Sequence, residues 1–250
     1  MEIKHVSAEH GWKWIKQGWR IFNQSPILWL VLLLIIFCGA VLLSMVPVVG
    51  QPLATLLGPV MMAGLMSGCR ALEQGEELEL EHLFNGFRQH TTQLITVGGL
   101  SLLGQFLILG IMLGMGATAL VSLIMSDTSP QDPQVMIQAF EAAGAAIFVG
   151  ITLFFVLMMA TQFAPMLVYF NGVAPFEAMK LSLRAFTRNI GAFTVYGLIF
   201  MLLAFIASMP LMLGWILLVP VMMTSLYALY RDIYPFPETP AAEPESPTEV

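Results

Sequence analysis

Four long stretches of this chain carry no Asp, Glu, Lys or Arg: residues 21–69, 89–126, 142–176 and 189–230. A helix with no charged face cannot present itself to water, so lipid is the solvent for most of this surface. A hydrocarbon core of about 30 Å takes about 20 apolar helical residues. The first and last stretches therefore hold two spans each and the middle two hold one each. Breakers stand where the double stretches must turn, at Pro47 and Pro52 and at Ser208-Met209-Pro210. The expected fold is all-α: a polytopic membrane helix bundle with six transmembrane helices near residues 27–46, 53–69, 93–116, 145–170, 190–208 and 211–230. Continuous apolar runs without alternation exclude a barrel. Composition agrees, with 58% hydrophobic and 10% charged residues against roughly a quarter charged in a soluble domain.

Six spans divide the remaining segments between two sides. All ten Lys and Arg fall on one of them: Lys4, Lys13, Lys16, Arg20, Arg70, Arg88, Lys180, Arg184, Arg188 and Arg231. The other side holds only acids, Asp127, Asp132 and Glu141. Positively charged loops stay inside, so both termini are expected in the cytoplasm. The first apolar run starts too late and runs too long for a cleaved signal peptide. Residues 1–235 read as one membrane domain, and the Pro- and Glu-rich residues 236–250 as a disordered cytoplasmic tail.

Ahead of the first span, Trp12, Ile15, Trp19 and Phe22 recur at helical spacing, with Lys13, Lys16 and Arg20 beside them. Residues 8–24 are expected to form an interfacial helix anchored by Trp12, Trp19, Lys16 and Arg20 on the cytoplasmic leaflet. The same offsets return in Phe176, Met179, Leu183 and Phe186, and in part in Leu80, Phe84 and Phe87. Leu56-Leu57-Gly58-Pro59-Val60-Met61-Met62 matches Leu217-Leu218-Val219-Pro220-Val221-Met222-Met223, with Ala164-Pro165-Met166-Leu167 as a fainter copy. Together these predict three parallel repeats, each a cytoplasmic interfacial helix followed by a hairpin. The middle repeat is the longest, with a tip at residues 129–133 where Asp132 would cap a helix opened by Pro133.

No ionisable residue falls at mid-span, which argues against a proton relay or intramembrane acid-base chemistry. The uncharged candidates are Gln105 and Gln162, placed to hydrogen-bond between helices or to line a cavity, and Pro59, Pro165 and Pro220, placed to kink the returning helices. Gly64 with Gly68, and Gly110 with Gly114, are spaced for close helix packing. The four histidines lack metal-ligand spacing, and no phosphate-binding glycine loop or nucleophile elbow is present. No cofactor, metal or nucleic-acid partner is expected; the lipid bilayer is, together with other inner-membrane proteins.

The run Gly11-Trp12-Lys13-Trp14-Ile15, Pro26 at the first span, Cys69-Arg70-Ala71-Leu72-Glu73-Gln74-Gly75 and Leu83-Phe84-Asn85-Gly86-Phe87 resembles an uncharacterised family of proteobacterial multi-pass inner-membrane proteins. More distantly, the hairpins resemble the membrane domain attached to some glycerophosphodiester phosphodiesterases, without their catalytic domain. The resemblance implies a bacterial inner membrane and supplies no reaction. The expected function is a non-enzymatic scaffold, assembly or regulatory factor. The alternative is a transporter, channel or lipid-handling protein with a pathway between the hairpins.

Overall fold

A computed structural model describes residues 3–117 and 133–234. Among these residues every regular element is helical. The order is α1 (His10–Gln24), α2 (Pro26–Ser44), α3 (Gly50–Glu73), a 3₁₀ turn (Leu80–Phe84) running into α4 (Asn85–Arg88), α5 (Thr91–Met112), α6 (Pro133–Gln162), α7 (Ala164–Asn171), α8 (Pro175–Arg188), α9 (Ile190–Ser208) and α10 (Trp215–Ile233). Six helical segments are long and apolar enough to cross a membrane: α2, α3, Thr91–Gly116, Ala143–Asn171, α9 and α10. The fold is thus the all-α polytopic bundle that the charge-free stretches predict. The 129–133 tip and the tail lie outside the described residues.

The apolar hairpin turns fall where the breakers stand, after Ser44 and after Ser208. They are tight enough to hold Val48, Leu211 and Met212 at positive φ, a conformation that side chains beyond Cβ disfavour. Pro52 belongs to the first turn of α3, where its missing N–H costs nothing. At 30 residues and 1.5 Å per residue, α6 is about 45 Å long, which exceeds one hydrocarbon crossing.

At the end of the bundle that carries the cations, one contact recurs three times. On α1 a Cβ at Gly18 would fall 2.5 Å from the Ser225 backbone nitrogen of α10, and the Gly18 carbonyl accepts from Thr224 Oγ1 at 2.9 Å. In the 3₁₀ turn the Leu83 carbonyl sits where a Cβ on Gly64 of α3 would be. On α8 Ser182 Oγ donates to Met159 O at 2.6 Å and accepts from Phe163 N at 3.1 Å, bracketing the end of α6. Gly18, Leu83 and Ser182 each stand four residues before the phenylalanines Phe22, Phe87 and Phe186. Every lead-in segment therefore seats on the returning helix of the preceding hairpin, and α1 closes the ring on α10.

This geometry corrects one expectation, the alignment of the third repeat. The third seat aligns Met158-Met159, and not Ala164-Pro165, with Met61-Met62 and Met222-Met223. It also superposes the fully buried Met66, Phe163 and Tyr227. Within the spanning segment Ala143–Asn171 the helix ends at Gln162, breaks at Phe163 and restarts with Pro165 at its second position, so the interruption falls two residues before Pro165. Pro59 and Pro220 do lie inside α3 and α10. The docked face of α1 is Gly11, Trp14, Gly18 and Ile21, matched on α8 by Ala178, Ser182 and Ala185. Small residues at these positions let backbones approach closely.

Candidate functional site

Beneath the lead-in segments lies an aromatic hub. Phe163 packs against Phe186, Phe193, Tyr230 and Tyr234, with centroids 5.2 to 6.4 Å apart, and Trp14 joins it through Phe193 at 5.7 Å. Each such ring pair adds about 0.5–1.5 kcal/mol beyond its burial. Polar groups at the hub are paired. Tyr234 Oη donates to Leu181 O at 2.8 Å, and burial pushes its hydroxyl above the usual phenol range, so it stays a donor. Asp232 accepts from Trp14 Nε1 at 2.8 Å and faces His10 Nδ1 at 2.6 Å. Glu73 joins Arg231 in an ion pair and accepts from Tyr227 Oη at 2.8 Å.

The N-terminal arm laces across this end. Lys4 N donates to Ile233 O at 3.0 Å, Val6 N donates to Asn189 Oδ1 at 2.8 Å, and Asn189 Nδ2 donates back to Lys4 O at 3.1 Å. First and last residues of the bundle are thereby tied together.

Among the described residues this framework borders a larger and a smaller cavity. The larger, about 730 Å³, lies between α1 and the α9–α10 hairpin. One wall is Trp12, Ile15, Lys16, Trp19 and Arg20; the other is apolar, with Leu203, Ile206, Leu217, Leu218 and Val221. Trp12 and Trp19 are about half exposed, at 48% and 49%, whereas Trp14 is fully buried. Lys16 lies over the Trp12 ring, 5.5 Å from its centroid. Neither Lys16 nor Arg20 is in an ion pair among the described residues. All four anchors named from the sequence thus meet in one groove.

The smaller cavity, about 330 Å³, is polar and lies between the end of α3, the 80–89 segment and α7. Arg70, His82, Asn85, Gln89, Tyr169 and Glu76 line it. Sequence reading does not reach this site, since its residues come from segments a hundred positions apart and look like ordinary loop polarity. The one available signal is that Arg70 and Asn85 lie within the two motifs quoted for the family resemblance.

The remaining candidates are not brought together. Gln105 is exposed on the outer surface of α5. Gln162 is half-buried at the last position of α6. Gly64 and Gly68 pack against Leu83 and Leu78, whereas a Cβ on Gly110 or Gly114 would meet nothing within 4 Å.

A ring of three seated hairpins with six spanning helices defines a multi-pass membrane protein. The chain belongs to the family of a probable inner membrane protein of Burkholderia thailandensis, with which it shares 30% identity over 94% of each chain. It is accordingly a multi-pass inner-membrane protein. No family model matches the chain, and no solved structure does. Nothing in these comparisons supports the distant likeness to phosphodiesterase membrane domains.

Proposed function

We propose that this protein is a non-catalytic, lipid-engaging component of the inner membrane, with both termini in the cytoplasm, that seats an anionic phospholipid between α1 and the α9–α10 hairpin. The observation that carries the reading is the 730 Å³ groove, apolar on one wall and edged by Lys16 and Arg20 beside two half-exposed tryptophans. Acyl chains match Leu203, Ile206, Leu217, Leu218 and Val221. The cations match a phosphate, and the indoles match the amphipathic headgroup layer. The collection of every Lys and Arg on one side supports the orientation. A transport pathway beside Gln105 is less favoured, because that side chain faces outward.

Lipid retention in nanodiscs of defined composition tests the reading. Phosphatidylglycerol is expected to stay with the purified protein in preference to phosphatidylcholine. Each cation near a headgroup contributes about 1 kcal/mol, so the Lys16→Gln, Arg20→Gln double variant should lower that preference at least tenfold. Equal retention of both lipids, or a preference that the double variant leaves intact, would overturn it. Reporter fusions after Pro235 and at Asp132 test the orientation: the first should report cytoplasm and the second should not.

A further inference from the structure

We propose that the turns of the α2–α3 and α9–α10 hairpins end inside the bilayer, and that the surface they offer is built to contact the hydrocarbon of the far leaflet, the one opposite the cations. Side chains give the first reason. Residues 45–50 read Met-Val-Pro-Val-Val-Gly and residues 209–214 read Met-Pro-Leu-Met-Leu-Gly, with no polar side chain in either. At their crests Val48 and Leu211 are 90% and 91% exposed. These two residues and Met212 take the left-handed conformation, which a turn facing water ordinarily gives to Gly or Asn because they adopt it with least strain. Apolar residues at all three positions fit a hydrocarbon surrounding, where an amide would lose its hydration.

The backbone gives the second reason. Lipid offers no acceptor to an open N–H, so a turn in hydrocarbon must satisfy its own donors. In the first turn Met45, Val46, Val49 and Gly50 donate to carbonyls of residues 41–47, and Pro47 has no N–H to place. In the second, Met209, Leu211, Met212 and Leu213 donate to carbonyls of residues 206–210, and Pro210 has none. Of the N–H groups in the two turns, those of Val48 and Gly214 alone lack a backbone acceptor among the described residues. Polar side chains at the shoulders are closed as well. Ser44 Oγ donates to Val41 O at 2.7 Å; Ser208 Oγ donates to Ala204 O at 2.8 Å and accepts from Trp215 Nε1 at 3.0 Å. Water would serve these groups without such closure, and a protein interface would use some of them for its own hydrogen bonds.

Helix length gives the third. Helices α2, α9 and α10 have 19 residues each, about 28 Å at 1.5 Å per residue. With Asn189 and Asp232 fixed in the polar hub at the cation end, a helix of that length stops just short of the far edge of a hydrocarbon core of about 30 Å. Gln51, exposed one residue past the first turn, is long enough to carry its amide to the headgroups from there. In sequence, the acids Asp127, Asp132 and Glu141 belong to the middle hairpin alone. A soluble partner on that side therefore meets the middle hairpin and neither of these tips.

Spin labels placed by Val48→Cys and Leu211→Cys, in a Cys38→Ala parent reconstituted into nanodiscs, test the proposal. Both positions are exposed, so neither exchange threatens the fold, and the parent treated with the same reagent supplies the background from buried Cys69. Molecular oxygen concentrates in hydrocarbon, whereas nickel ethylenediaminediacetate, a polar complex, stays in water. The ratio of nickel to oxygen collisions at both labels should be about tenfold lower than at a label on Glu77→Cys, an exposed position at the cation end. A ratio equal to that at Glu77→Cys would put the turns in water. Low collision rates with both reagents would show the turns covered by protein, a second copy of the chain in such discs. Either result would overturn the proposal.

Discussion

At the residue scale, stability at the charged end rests on a few carboxylates that each satisfy two donors. Asp232 sits between Trp14 and His10, and Glu73 between Arg231 and Tyr227. Removing such an acceptor strands buried donors, which costs about 1–3 kcal/mol. Asp232→Ala should therefore lower the thermal midpoint in detergent. Trp14→Phe, which withdraws the donor together with its partner's need, should lower it less. A Trp14→Phe variant that melts earlier than Asp232→Ala would show that ring packing outweighs the hydrogen bond. Cysteines offer a second reading. Cys38 is exposed on a lipid-facing span and Cys69 is fully buried. A membrane-impermeant maleimide should label neither in intact membranes and both after denaturation in SDS; rapid native labelling of Cys69 would contradict its packing.

At the scale of elements, the decisive contacts are made by the small residues on the lead-in helices. A valine at Gly18 would drive its side chain into the Ser225 backbone, whereas a Cβ on Gly39 of α2 meets nothing within 4 Å. Gly18→Val should undock α1 and open trypsin cleavage after Lys13, Lys16 and Arg20, while Gly39→Val leaves the digestion pattern unchanged. Identical patterns for the two would refute the seat. The same helix shows what could be read from sequence and what could not. Its length and 3.6-residue periodicity are plain in residues 8–24, and the spans are plain because charge vanishes for whole crossings. Which face docks is hidden. Trp12, Trp19 and Trp14 are equally apolar, and lipid and protein interior are nearly the same solvent, so hydrophobicity cannot tell a lipid-facing tryptophan from a buried one. The docked face is marked instead by Gly11 and Gly18, whose meaning depends on a partner helix two hundred residues away. The polar cavity was hidden for a related reason: Arg70, His82 and Tyr169 have no shared spacing, and only the seating of the 80–89 segment on α3 brings them to one place.

On the scale of the whole molecule, three seats joined head to tail make a closed circuit in which no hairpin has a free lead-in contact. Deleting residues 1–9 would remove the Lys4 and Val6 bonds to Ile233 and Asn189 while leaving α1 itself intact. The shortened protein should still insert but melt earlier and dissociate α1 more readily, as read by the same trypsin sites; unchanged melting would show that the arm is ornamental. The closure of α1 on α10 also sets a clock for biogenesis. Helix α1 leaves the ribosome before its seat on α10, from which it is separated by about 200 residues, or about 10–40 s of synthesis. Throughout that interval the Gly11, Trp14 and Gly18 face has no partner within its own chain, and the nascent protein must shelter it against the insertion machinery or the bilayer surface. Translation itself thus leaves the circuit open until its final helix arrives.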